Sequence, residues 1–202
     1  YIISFFNFMG ISYIDSAKNY LGLTFYLSGI FMYLWIKKLL SNNIAAFASS
    51  IFYLFNPYHL IDVHFRATLG ESTIFTLVPL QFFFIVKYLK EKKSISLIPI
   101  SLVTALLFLA HPLLACVFFL LEITYILFVF TITKKLKPTI FTAGALLLGV
   151  LASLYTLLPF ILYSPYTYKL PVPSGDIIGF SPFQLLLYSP WRCSNFRRPQ
   201  WK

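Results

Sequence analysis

The chemistry of this chain is concentrated in one stretch, NPYHLIDVHFRATLGES, from Asn56 to Ser72. It carries Tyr58, His59, Asp62, His64, Arg66 and Glu71, so two of the chain's three histidines and two of its six acids sit together. An arginine offers a planar fork that matches a phosphate or a carboxylate. A carboxylate, alone or holding a divalent metal ion, activates or orients an attacking hydroxyl. If the stretch is helical, His59, Asp62 and Arg66 fall at i, i+3 and i+7 on one face. If it is extended, Asp62, His64 and Arg66 share a face by period two. Asp62 and Arg66 come together either way.

Three readings of these residues stand side by side. The first is an ion pair at the membrane boundary with a structural role. The second is an anion site centred on Arg66. The third is a metal site from His59, Asp62 and His64, although the spacing HxxDxH matches no strong signature. Glu71 opens the next apolar segment, where a charge needs a partner, a job, or the positive end of a helix dipole. His111 precedes Pro112 at a second turn and suits a helix-end hydrogen bond. Glu122 lies ten residues inside an apolar run, where a carboxyl is functional, neutral, or paired with a neighbouring helix.

The elements that must position these groups are membrane helices. Of 202 residues, 59% are hydrophobic and 11% charged, and mean hydropathy is +0.80. A soluble domain carries about 25% charged residues. A soluble core of this size could not bury 23 Phe and 14 Tyr without large exposed apolar patches. Apolar runs recur along the whole chain, which excludes a leader followed by a globular domain. With about 20 residues per span, the sequence predicts an all-α polytopic bundle. A truncated helix at residues 1–9 is followed by about six spans: 20–36, 44–60, 72–89, 95–110, 113–133 and 139–163. The stretch 177–189 is too short to span and reads as interfacial. Residues 1–191 form one transmembrane domain. The start at Tyr1 inside an apolar run and the atypical tail 192–202 read as a fragment of a larger protein with a tail that is not native.

The net charge of +10 sits mostly in short clusters between apolar runs. That pattern belongs to membrane loops rather than nucleic-acid binding. Lys37/Lys38, Lys87/Lys90/Lys92/Lys93 and Lys134/Lys135/Lys137 follow alternate spans. They therefore share a side, predicted to be cytoplasmic. The 56–71 loop, the His111 turn and residues 164–176 then lie outside, with Pro57, Pro112 and Pro165 at the outer helix ends. Cys116 and Cys193 make neither a disulfide framework nor a metal pattern.

The run YLFNPYHLIDVHFRATLGESTIFTLVPL resembles the prokaryotic membrane proteins called 6-pyruvoyl-tetrahydropterin synthase-related. The residues that carry the resemblance are Pro57-Tyr58, Asp62, Arg66-Ala67, Glu71 and Pro79. LFLAHPLLA with His111, YTLLPFIL with Pro159, and LLLYSPW with Ser189, Pro190 and Trp191 follow in the same order. The zinc-binding histidine pattern of the soluble pterin synthase is absent. The family is similar in layout to C-type glycosyltransferases, which take a sugar from a polyprenyl-phosphate donor on the outer face. The resemblance thus implies a prokaryotic plasma-membrane protein of the cell envelope whose partners are membrane lipid and a polyprenyl-phosphate sugar. Asp62, Glu71 and Asp15, the acid of GISYIDSAKN, become catalytic candidates. Arg66, with Tyr58, His59, His64 and His111, becomes the donor-binding set. A transporter or lipid-handling protein, and a non-catalytic membrane component, remain as alternatives.

Overall fold

The computed structural model describes residues 2–163, and every described element is helical. The described helices are α1 (Ile2–Phe8), α2 (Tyr13–Leu40), α3 (Asn43–Leu54), α4 (Pro57–Ile61), α5 (Leu69–Glu91), α6 (Leu97–Ala110), α7 (Pro112–Thr133), α8 (Leu136–Ala152) and α9 (Leu154–Tyr163). A π-helical turn, Asp62–Arg66, extends α4, and a single 3-10 turn, Ser94–Ser96, leads into α6. The stretch 177–189, the Ser189-Pro190-Trp191 echo and the tail 192–202 lie outside the described residues.

The expected all-helical bundle is present, but its helices do not all match the predicted spans. Among the described residues, only α2, α5 and α7 are individually long and apolar enough to cross a membrane. Two bent pairs raise the number to five: α3 with Pro57–Arg66, bent by 46°, and α8 with α9, bent by 62°. The segment Ser94–Ala110 is a shorter apolar helix. The first bend has a local cause. Asn56 leaves the helix, and its side chain accepts the Tyr58 N–H at 3.0 Å. Pro57 then starts α4 at a position where its missing N–H costs nothing.

Hydrogen bonds fix the helix directions. Tyr20 pairs with Thr73 at 2.5 Å, the Thr76 hydroxyl donates to the Thr24 carbonyl at 2.8 Å, and Lys38 meets Glu91 at 2.5 Å. The offsets are 73 − 20 = 53, 76 − 24 = 52 and 91 − 38 = 53, so α2 and α5 run parallel in one register. At the far end Lys90 also donates to the Lys38 and Leu39 carbonyls at 2.6 and 3.0 Å. Helix α6 returns antiparallel to α5. Gln81 bonds Thr104 at 2.8 Å, and Gly70 lies against Ala110, whose carbonyl oxygen would be 2.7 Å from a Cβ at Gly70. Ser101 bonds the Ala145 carbonyl at 2.8 Å, and Gly149 abuts Thr104, so α8 runs parallel to α6.

These directions give the bundle two chemically distinct ends. One end collects the turns at Ser41, Lys92 and Lys134, each closed by a left-handed residue without help from glycine. The three lysine clusters come to this end together. The other end holds the Asn56–Thr68 segment and the His111 turn. Between them α5 is the central helix, and Ile74, Val78, Phe82, Val103, Leu107 and Phe108 form the core around it. Helix α7 presents Leu113, Leu120, Phe128 and Ile132 outward, all more than half exposed. An apolar exterior of that kind suits lipid contact rather than water.

Candidate functional site

The polar cluster sits at the head of α5. The chain arrives through α4 and the π turn, then reverses at Ala67, which takes the left-handed conformation with φ 49°. That reversal brings Arg66 back over the first turn of α5. Its guanidinium grips Glu71 with both prongs: Nη1 donates to Oε2 at 2.8 Å and Nη2 to Oε1 at 2.7 Å. Planar two-point pairing is the strong form of this ion pair. Tyr58 closes the arrangement. Its hydroxyl donates to Glu71 Oε2 at 3.0 Å and accepts from Arg66 Nη1 at 3.1 Å. The expected Asp62–Arg66 pair also forms, at 3.4 Å, one helical turn apart. Glu71, rather than Asp62, is the nearer partner of Arg66.

Asp62 is fully buried beneath this layer, and Thr68 donates a short hydrogen bond to its Oδ1. Its second oxygen, Oδ2, has no hydrogen-bond partner. The π turn lies at the end of the bundle. One arginine therefore serves two neighbouring carboxyls of unequal exposure. Arg66 keeps 44% of its side chain exposed, while the side chains of Asp62 and Glu71 keep 1% and 10%. The cluster faces solvent through its cation and hides its acids.

Thr68 and Glu71 have the letters of a reciprocal helix cap, T-x-x-E. The cap does not form, because Thr68 makes no side-chain cap bond. Its hydroxyl is given to Asp62, and the Glu71 carboxylate is given to Arg66 and Tyr58. Both side chains are thus diverted from local capping into the cluster. Thr68 is the member that sequence reasoning missed. Its spacing from Glu71 was the available signal, and it points to a different bond.

The histidines separate. His59 is buried, with Nδ1 at 3.2 Å from the Tyr53 carbonyl and its ring among Phe25, Tyr53 and Phe75. His64 is exposed on the π turn. His111 caps α7, its Nδ1 accepting the Leu114 N–H at 3.3 Å. Its ring lies near Gly70, 3.5 Å from where a Cβ would sit. It therefore stands beside the cluster without bonding to it. His59, Asp62 and His64 do not converge, and among the described residues no three His, Cys, Asp or Glu side chains are grouped to hold a metal ion. The described residues do not group to fit a divalent ion.

Asp15 is at the same end of the bundle, in the first turn of α2. Tyr20 is level with Thr73, and the same offset of 53 residues sets Asp15 level with Thr68 at the head of α5. It is exposed, accepts from Ser12 at 2.7 Å and lies 3.6 Å from Lys18. No bond joins it to Arg66 or Glu71.

The arrangement is thus an anchored cation over a carboxyl pair, at one end of an apolar helical bundle. No curated protein matches the chain, and no solved structure matches it. A family of membrane proteins, described as the 6-pyruvoyl-tetrahydropterin synthase related domain, matches residues 1–173. The match spans the polar stretch, the His111 turn and the Pro159 segment from which the resemblance was read, and the chain belongs to this membrane-protein family.

Proposed function

We infer that the protein is glycosyltransferase-like and uses a sugar carried on a polyprenyl phosphate, with the head of α5 as its phosphate site on the outer face of a prokaryotic plasma membrane. The observation that carries this reading is Arg66, held by both prongs on Glu71 yet nearly half exposed at the mouth of an apolar bundle. A cation fixed in advance spends little on ordering when an anion arrives. It also stabilises the charge that builds on a departing lipid phosphate. The apolar helix faces would take the polyprenyl tail. Glu71 and Tyr58 orient Arg66. Asp62, closed off by Thr68, supports the cluster from below, or carries a proton if the turn opens. Asp15, exposed at the same end, is the carboxylate placed to meet an acceptor hydroxyl as a general base. His64 offers a second polar contact to the headgroup, and His59 and His111 hold the walls.

The test is photolabelling of membranes that contain the protein with a photoreactive polyprenyl-phosphate hexose, followed by peptide mapping. Labelling is expected within Tyr58–Glu71, with inorganic phosphate failing to compete. Charge-assisted hydrogen bonds contribute about 1.5–3 kcal/mol. Arg66→Lys, which keeps the charge but loses the fork, should therefore lower labelling and sugar transfer by roughly 10- to 100-fold at constant abundance. Unchanged labelling and transfer in Arg66→Lys would refute the assignment. A transporter is the second reading, favoured by the buried Glu122 in the middle of α7. Uptake of the same headgroup into proteoliposomes without sugar transfer would select it.

A further inference from the structure

The second concentration of unsatisfied polar atoms lies far from the head of α5. Glu122 is the eleventh of the 22 residues of α7, so about 15 Å of helix separates it from either end. It is completely buried, and neither carboxyl oxygen has a hydrogen-bond partner. None of the ion pairs among the described residues includes it. The polar group beside it is the side-chain amide of Gln81, from the middle of α5. Gln81 is also completely buried, and its Oε1 likewise has no donor. One N–H of the amide is committed elsewhere. Gln81 Nε2 donates to Thr104 Oγ1 at 2.8 Å, and the Thr104 hydroxyl donates to the Ile100 carbonyl at 2.8 Å. Helix α8 seals the layer, because Gly149 lets its backbone close directly onto Thr104.

Four helices thus meet at a buried polar layer that is short of donors. Three acceptor oxygens, two on Glu122 and one on Gln81, have no hydrogen-bond partner, and the second N–H of Gln81 is one hydrogen for the three. An ionised carboxylate there would be an uncompensated charge near the middle of a membrane. One added proton resolves both defects. Three oxygens are too few to replace the shell of a divalent cation such as calcium, which takes about 6–8.

We propose that Glu122 is an intramembrane proton-binding site, occupied at neutral pH, whose carboxylic O–H is donated to the Gln81 side-chain carbonyl. The bond starts a directional chain from Glu122 through Gln81 and Thr104 to the Ile100 carbonyl. The groups facing the carboxyl, Gln81 from α5 and Thr104 behind it from α6, are neutral. The proton is therefore held by burial and hydrogen bonding, not by an opposing charge. This assignment is independent of the phosphate site at the head of α5.

The chain has three glutamates, Glu71, Glu91 and Glu122, which makes infrared spectroscopy of protein labelled with carbon-13 at the glutamate carboxyl decisive. At neutral pH the purified wild type should show one labelled carbonyl band of a protonated acid beside carboxylate bands. Glu122→Gln should remove the protonated band while keeping abundance, since its neutral amide makes no charge. Gln81→Leu should shift the band by removing its acceptor. If Glu122→Gln does not fold, persistence of the band in Glu91→Gln and in Glu71→Asp assigns it to Glu122. The proposal is overturned if all labelled glutamates are carboxylates at neutral pH, or if the protonated band survives in folded Glu122→Gln.

Discussion

Two glycines on α8 offer a controlled test of how this bundle closes. A Cβ at Gly149 would stand 2.5 Å from the Ser101 carbonyl oxygen and 2.5 Å from the Thr104 Cβ, whereas a Cβ at Gly144 would meet nothing within 4 Å. Ordinary contact begins near 3.4 Å, so Gly149→Ala forces α6 and α8 apart by about 1 Å. Neither obstacle is the far end of a flexible side chain, so neither yields cheaply. Overpacking of this kind costs about 1–3 kcal/mol. Replacing glycine by alanine inside a helix returns up to about 1 kcal/mol through propensity. Both positions are on the same helix, so the propensity gain cancels when the two variants are compared. Gly144→Ala should be neutral or stabilising. Gly149→Ala should be less stable than Gly144→Ala by about 1–3 kcal/mol. Unfolding of the purified protein in detergent, followed by tryptophan fluorescence, reads the difference. Equal stabilities would mean that α8 does not approach α6 at Thr104, and the closed polar layer around Gln81 would lose its wall.

Two further outcomes follow from the cluster and from the helix directions. Thr68→Val keeps the shape of residue 68 but takes away the hydroxyl that Asp62 accepts. Leaving a buried acceptor short of a donor costs about 1–3 kcal/mol, so unfolding in detergent should shift by that amount, while Thr124→Val, where the exposed hydroxyl bonds the Leu120 carbonyl of its own helix, serves for comparison. Single cysteines placed at His64 and at Lys93, in a background without Cys116 and Cys193, should react with a membrane-impermeant maleimide from opposite sides of sealed vesicles. Reaction of both from one side would refute the two-ended bundle.

Much of the architecture was legible because the bilayer imposes length and apolarity on each span. The helical class and the alternation of lysine clusters follow from that constraint alone. Boundaries were less legible. Helix α2 extends from Tyr13 to Leu40, well beyond the apolar run 20–36, because its ends are set by Ser12 and Ser41 rather than by hydropathy. The lysine-end turns close through left-handed Ser41, Lys92 and Lys134, where no glycine marks the stop. The span expected at 44–60 breaks at Asn56-Pro57, since the Asn56 side chain offers the backbone a competing bond.

The candidate site shows where periodicity stops being informative. Asp62 and Arg66 are four residues apart within one helical turn, so their pairing follows from local geometry. The closer bond, from Arg66 to Glu71, crosses the reversal at Ala67, and no repeat of 2 or 3.6 residues carries information through a left-handed residue. The T-x-x-E pattern points to a self-contained helix cap, yet tertiary demand overrides it: a buried Asp62 needs a donor, and an arginine needs a partner. The same demand explains the opposite fates of the histidines. His59 faces the rings of Phe25, Tyr53 and Phe75, while His64, five residues on, faces out. Their difference depends on which side of the π turn meets α2 and α5, and that is decided by packing between segments distant in sequence. A local reading can therefore nominate the residues of such a site, but the register of α2 against α5 determines which of them meet.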